Sequence, residues 1–151
     1  MTVHPAARLA VSASAGLVLA CGSPTEPNTH RVVGTIDPRH SNAAVIDVPT
    51  QVQSGVAFKV TVRTIGSSSC VTPDGGRIDV TGSLARITPY DQVPDPGHGT
   101  LCTPGSILLP RTLSVALGRP GPAKLRVVGL SASSGADAIL DSVEVEVTVT
   151  R

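Results

Sequence analysis

Apolar and polar residues alternate along most of this chain beyond residue 30. The pattern is sharpest near the C-terminus. In residues 142–150 (SVEVEVTVT), Val143, Val145, Val147 and Val149 share one phase, and Glu144, Glu146, Thr148 and Thr150 the other. A period of two sends successive side chains to opposite faces of an extended strand, so this run predicts one dry face and one wet face. Residues 56–65 (VAFKVTVRTI) repeat the pattern, with Phe58, Val60 and Val62 against Lys59, Thr61 and Arg63. Shorter runs predict strands at 31–36, 43–48, 77–81, 84–88, 112–117 and 124–130; in the sixth of these eight, Leu113, Val115 and Leu117 fall together. Turn chemistry separates the runs: Thr72-Pro73-Asp74-Gly75-Gly76, Asp95-Pro96-Gly97, Gly118-Arg119-Pro120-Gly121-Pro122 and Ser133-Ser134-Gly135. Eight short strands so spaced predict an all-β protein, an antiparallel β-sandwich. The one helical candidate, 135–140, is about a single turn and is set aside.

The first thirty residues lack this pattern. Arg8 is the only charged residue up to position 20, and residues 9–20 (LAVSASAGLVLA) are an uncharged, largely apolar run. A charged start followed by an apolar stretch of this length fits a secretory signal, and is too short for a bilayer span of about 20 residues. The run ends in Val18-Leu19-Ala20-Cys21. That sequence resembles the lipobox of bacterial lipoproteins, with Val18 where Leu is commoner. The resemblance implies cleavage after Ala20, a diacylglyceryl thioether on Cys21, and Cys21 as the new N-terminus. Gly22 follows rather than Asp, which by the same resemblance implies the outer membrane. The expected organisation is a signal peptide at 1–20, a lipidated Cys with a flexible tether at 21–30 (CGSPTEPNTH), and one folded domain at 31–151. The membrane, reached through the N-terminal lipid, is the first expected partner.

Composition narrows the remaining classes. With 40% hydrophobic and 15% charged residues, the chain is too apolar for a disordered one. Its net charge is +1, and removing Arg8 leaves eleven basic and eleven acidic groups, so nothing suggests a nucleic-acid partner. One Phe, one Tyr and no Trp leave a small aliphatic core and no aromatic platform for sugars.

With Cys21 lipidated, Cys70 and Cys102 remain as an even pair in an oxidising compartment, and both lie near predicted turns. A disulfide between them is expected; a metal pair or a reactive thiol is the rival, with His98 four residues before Cys102.

The segment 49–62 (PTQVQSGVAFKVTV) looks like the opening of bacterial immunoglobulin-like domains, which often read P-x-x-V-x-x-G-x-x-F-x-V-x-V, and residues 142–149 resemble the last strand of the same fold. The resemblance implies an immunoglobulin-like β-sandwich. The Trp and inter-sheet Cys pair of antibody domains are not visible, so a loop staple is expected instead.

Catalytic signatures are sparse. No G-x-S-x-G elbow and no P-loop occurs, and Gly97-His98-Gly99 lacks the third Gly and the βαβ unit of a dinucleotide site. Glu144 and Glu146 lie on one strand face, where a solvated face competes with a carboxylate pair. Asp74, Asp91 and Asp95 are placed in loops, and Tyr90 either packs on the sandwich end or marks a contact surface. No catalytic residue, metal or cofactor is assigned. The expected function is a non-enzymatic structural or interaction domain on a lipid anchor in the envelope, with an envelope or surface protein as possible partner. The alternative is a small-ligand or metal-binding periplasmic module on the 89–104 loop, using His98, Asp91 and Asp95.

Overall fold

A computed structural model describes residues 28–37, 39, 45–97, 101–133 and 139–151. Cys21, His40 and His98 lie outside them, as does most of the helical candidate at 135–140. The described residues form ten strands: β1 Thr29–Val33, β2 Thr35–Ile36, β3 Ile46–Asp47, β4 Gln51–Gln53, β5 Ala57–Ser68, β6 Thr72–Thr81, β7 Leu84–Pro94, β8 Pro104–Ala116, β9 Gly121–Ser131 and β10 Leu140–Thr150. They make two sheets. The larger follows the order β1-β7-β9-β10-β4, with β6 on β7 and β2 on β9; the smaller is β3-β5-β8. The chain is an all-β sandwich.

The alternating runs supply the layer between the sheets. Val60 and Val62 of β5 and Val115 of β8, with Leu117 just beyond it, face Ala85 and Ile87 of β7, Leu125 and Val127 of β9, and Val143 and Val147 of β10. Each is at most 2% exposed. Phe58 is in phase with this set but only half-buried at its margin, so the centre is wholly aliphatic.

The larger sheet is not purely antiparallel. β7–β9, β2–β9 and β4–β10 pair in parallel. The first follows from the path of the chain. β7 lies in the large sheet, β8 crosses to the small one and runs back, and β9 returns in the direction of β7. Two reversals restore the original sense.

The expected turn at 72–76 is part of β6. Pro73 pairs with Asp91 and Gly76 with Pro89, so three steps on β6 match two on β7. The extra residue makes a β-bulge, and Gly75 supplies the left-handed conformation (φ +65°) that such bulges use. Pro, Asp and Gly favour bulges for the same backbone reasons that they favour turns, which is why the sequence pattern does not separate the two. The true β6–β7 connection is Gly82-Ser83, with φ +63° at Gly82, the first-position Gly of a type II′ hairpin.

The N-terminal strand differs from its expected place. Pairing begins at Thr29, so Thr29 and His30, expected in the tether, belong to the sheet. β7 and β9 pair only from Leu84–Lys124 to Ile87–Val127 and then separate. β1 and β2 enter the split: β1 pairs antiparallel with residues 90–94 of β7, and β2 pairs parallel with Leu130 and Ser131 of β9. Gly34 sits at the crossing, its N–H donating to Pro89 O (2.9 Å) and its carbonyl accepting from Leu130 N (3.0 Å). A Cβ on Gly34 would lie 2.5 Å from Thr64 Cγ2, and one on Gly129 would lie 2.6 Å from Gly34 O. Only two glycines let the backbones approach this closely.

Candidate functional site

Three polar residues occupy inward positions that strand phase otherwise gives to apolar ones. Thr64 follows Val60 and Val62 on β5, Asp91 follows Ala85, Ile87 and Pro89 on β7, and Arg111 lies between Leu109 and Leu113 on β8. They meet between the sheets. Arg111 Nη2 donates to Asp91 Oδ1 at 2.5 Å, and the side chains are 4% and 3% exposed. Thr64 Oγ1 donates to the same oxygen at 3.0 Å and accepts from Arg111 Nη2. Arg111 Nη1 donates to Tyr90 O and, at 3.2 Å, to Gly75 O. The bulge thus turns a β6 carbonyl toward the guanidinium. Arg111 Nε is buried without a partner.

The cluster connects β5, β6, β7 and β8, and so joins the two sheets where the aliphatic layer ends. A buried ion pair loses most of its Coulomb gain to desolvation, so it adds little net stability, whereas loss of one partner would leave the other charge buried and uncompensated. Beside it lies a cavity of about 180 Å³, lined by Val32, Ile65, Val71, Val93, Leu130 and Asp91 among others. Its volume falls below the roughly 300–1,000 Å³ of small-molecule pockets. At about 30 Å³ per water, it has room for a few solvent molecules.

Two further networks lie outside. Arg31 stacks 4.0 Å over the Tyr90 ring and bonds Asp74 at 2.9 Å, which ties β1 to β6 across β7. Tyr90 is half-buried as the platform for this cation–π contact rather than a bare ring. On the outer face Glu144 bonds Lys124 and Arg126, each at 2.7 Å. The Lys124 hydrogen bond, then that of Arg126, holds the Glu144 carboxyl below the ordinary carboxylate range. A general acid for glycoside cleavage needs the opposite shift.

The residues proposed for the 89–104 loop do not converge among the described residues. Residues 89–94 are strand, and β8 begins at Pro104. Asp91 is buried against Arg111, Asp95 bonds His30 Nδ1 at 2.6 Å on the surface, and Asp74 lies in the β6 bulge. No group of three His, Cys, Asp or Glu side chains suited to a metal occurs among the described residues. Cys70 and Cys102 form a disulfide, with Cα atoms 5.5 Å apart and a sequence separation of 32. It lies just past a bulge in the β5–β8 pairing, where Gly66–Ile107 gives way to Ser68–Pro104.

Arg111 and the partner role of Asp91 escape a pattern-based reading because each stands just outside a predicted run. The predicted runs end at Thr88 and begin at Thr112, three residues short of Asp91 and one residue past Arg111. The available signal is phase: an arginine in step with Leu109, Leu113 and Val115 needs an acidic partner in step on the facing sheet. Comparison with protein families, curated proteins and solved structures returned no match.

Proposed function

We propose that this chain is a lipid-anchored protein of the bacterial envelope whose folded part is a non-enzymatic, immunoglobulin-like structural or interaction module. The anchor rests on Val18-Leu19-Ala20-Cys21 after its apolar run. The module reading rests above all on one observation. The polar side chains that offered themselves for chemistry bond to one another as ties between strands: Asp91 with Arg111 and Thr64, Asp95 with His30, and Glu144 with Lys124 and Arg126. A body so cross-linked presents a fixed surface.

The immunoglobulin-like part of the reading draws on the segment 49–62. Val52 lies on β4 beside β10, Gly55 turns the chain, and β5 continues in the other sheet. The resemblance implies this order, a kinked first strand, a turn Gly and then a core strand, and the reading draws support from it. The parallel β7–β9 pairing is a departure from their antiparallel sheets.

The test is fractionation with lipid labelling, followed by cross-linking in the native envelope. Wild type is expected in the membrane fraction with label, and Cys21→Ser soluble without it. Unchanged partition of Cys21→Ser overturns the anchor, and recovery of no envelope partner overturns the interaction role.

A further inference from the structure

The geometry points to a lipid-facing end: the end of the sandwich from which the chain leaves toward Cys21 rests on the bilayer, with Leu101 on one flank and Ile139 and Leu140 on the other set among the headgroups. This rests on the reading of Cys21 as the anchor.

Strand directions place these groups at one end. Thr29 pairs with Pro94, and Asp95 N donates to Asn28 O at 2.8 Å, so the chain departs beside the end of β7. β9 runs parallel to β7 and brings Ser131 toward the same end, where Ser131 N donates to Ile139 O at 2.8 Å. β5 passes Asp91 at Thr64 and continues to Ser68, which pairs with Pro104; the Cys70–Cys102 bridge lies just beyond.

Leu101 is 98% exposed, Ile139 59% and Leu140 58%. Single exposed apolar residues are ordinary on soluble proteins. Two features set this end apart. Leu101 adjoins a fixed point, because its neighbour Cys102 is bridged to Cys70, and Ser69 and Thr103 exchange hydrogen bonds at 3.0 Å. The tether is also short: seven residues from Cys21 to Asn28 reach at most about 25 Å. Strands of about eleven residues put the opposite end roughly 35 Å farther along. An anchored chain therefore presents Leu101 and Ile139 to the interface at high effective concentration, so that contacts too weak to recruit a free protein suffice to orient a tethered one.

The chain contains no Trp, so a substituted indole is the only one. Leu101→Trp and Ile139→Trp would be made in the full lipidated chain, with Val80→Trp as a reporter in the β6–β7 hairpin at the far end. Each is reconstituted into phosphatidylethanolamine–phosphatidylglycerol vesicles with brominated acyl chains, floated on a gradient, and read by emission. At 101 and 139 the expected result is a blue shift and about a two-fold loss of intensity to the bromines, with neither at 80. Flotation with indoles 101 and 139 unquenched, or no more quenched than 80, overturns the orientation and leaves the anchor standing. Failure to float overturns both. A concentration-dependent blue shift of Leu101→Trp in a soluble Cys21→Ser background would put a second copy on this surface and overturn the lipid assignment.

Discussion

The two halves of the interlayer are held by different physics. In the half near the Gly82-Ser83 hairpin, Val60, Val62, Ile87, Leu125, Val115 and Leu117 are packed without a polar group among them. Their attraction is non-directional and grows with area, so it tolerates small changes in shape. In the half near Asn28, the sheets are joined by an ion pair, a threonine and a bulge carbonyl, a disulfide closes the end of the β5–β8 pair, and a cavity remains. Those ties depend on direction. The first half gains from area; the second joins the sheets through bonds that hold only in one geometry.

This contrast can be broken most severely at Arg111. Arg111→Ala leaves Asp91 buried without its counter-charge and is expected to lower unfolding free energy by about 3–5 kcal/mol. Replacing the set with apolar residues (Arg111→Met, Asp91→Leu, Thr64→Val) should be neutral or up to about 4 kcal/mol stabilising. Urea titrations of the two variants decide it, and equal losses would show that an uncompensated Asp91 charge is not what destabilises Arg111→Ala. Next is the bridge. Cys70→Ala with Cys102→Ala is expected to cost roughly 3–4 kcal/mol in the chain-entropy account of a loop this long. Intact mass with and without reductant checks that the bond is present.

Gly34→Ala should cost about 1–3 kcal/mol by overpacking, because the new methyl meets Thr64 and Asp91. An unchanged melting midpoint would show that the β1–β2 wedge yields easily. In the aliphatic half, Ile87→Val should cost only about 0.5–1.5 kcal/mol despite its full burial. The smallest effect is expected on the outer face. Glu144 has a folded-state pKa lowered by Lys124 and Arg126. Its contribution is therefore complete above the ordinary carboxyl range, about 4.3, and is lost as pH falls through the lower folded value. Thermal melts should show a shallower acid limb for Glu144→Gln than for wild type.

The same division governs what could be read from the amino-acid order. Val143, Val147 and Val149 are buried as their alternation demands; the predicted runs at 77–81, 84–88, 124–130 and 142–150 lie within observed strands, and those at 56–65 and 112–117 overrun theirs by one residue each, Val56 and Leu117. Area-driven packing is written as periodicity, and periodicity is legible. Direction-driven structure is not. Asp74 and Gly75 spell a turn and build a bulge. Asp91 looks like loop chemistry and is a core residue, because its partner lies on a strand 20 residues away. The run at 43–48 reduces to Ile46–Asp47 among the described residues, and β4 is absent from the periodic runs because three residues carry too little alternation to register; only the resemblance of 49–62 implies a strand there.

The wedge made by β1 and β2 has a mechanical consequence. If the fold is hung from Cys21 as proposed, tension would act along these strands, and their hydrogen bonds to β7 and β9 run across that line. The load is then shared by several bonds at once, in shear, instead of opening them one after another as in peeling an outermost strand. A domain hung by this segment would resist being drawn out by its leash, and release would require the split between β7 and β9 to give way as a unit.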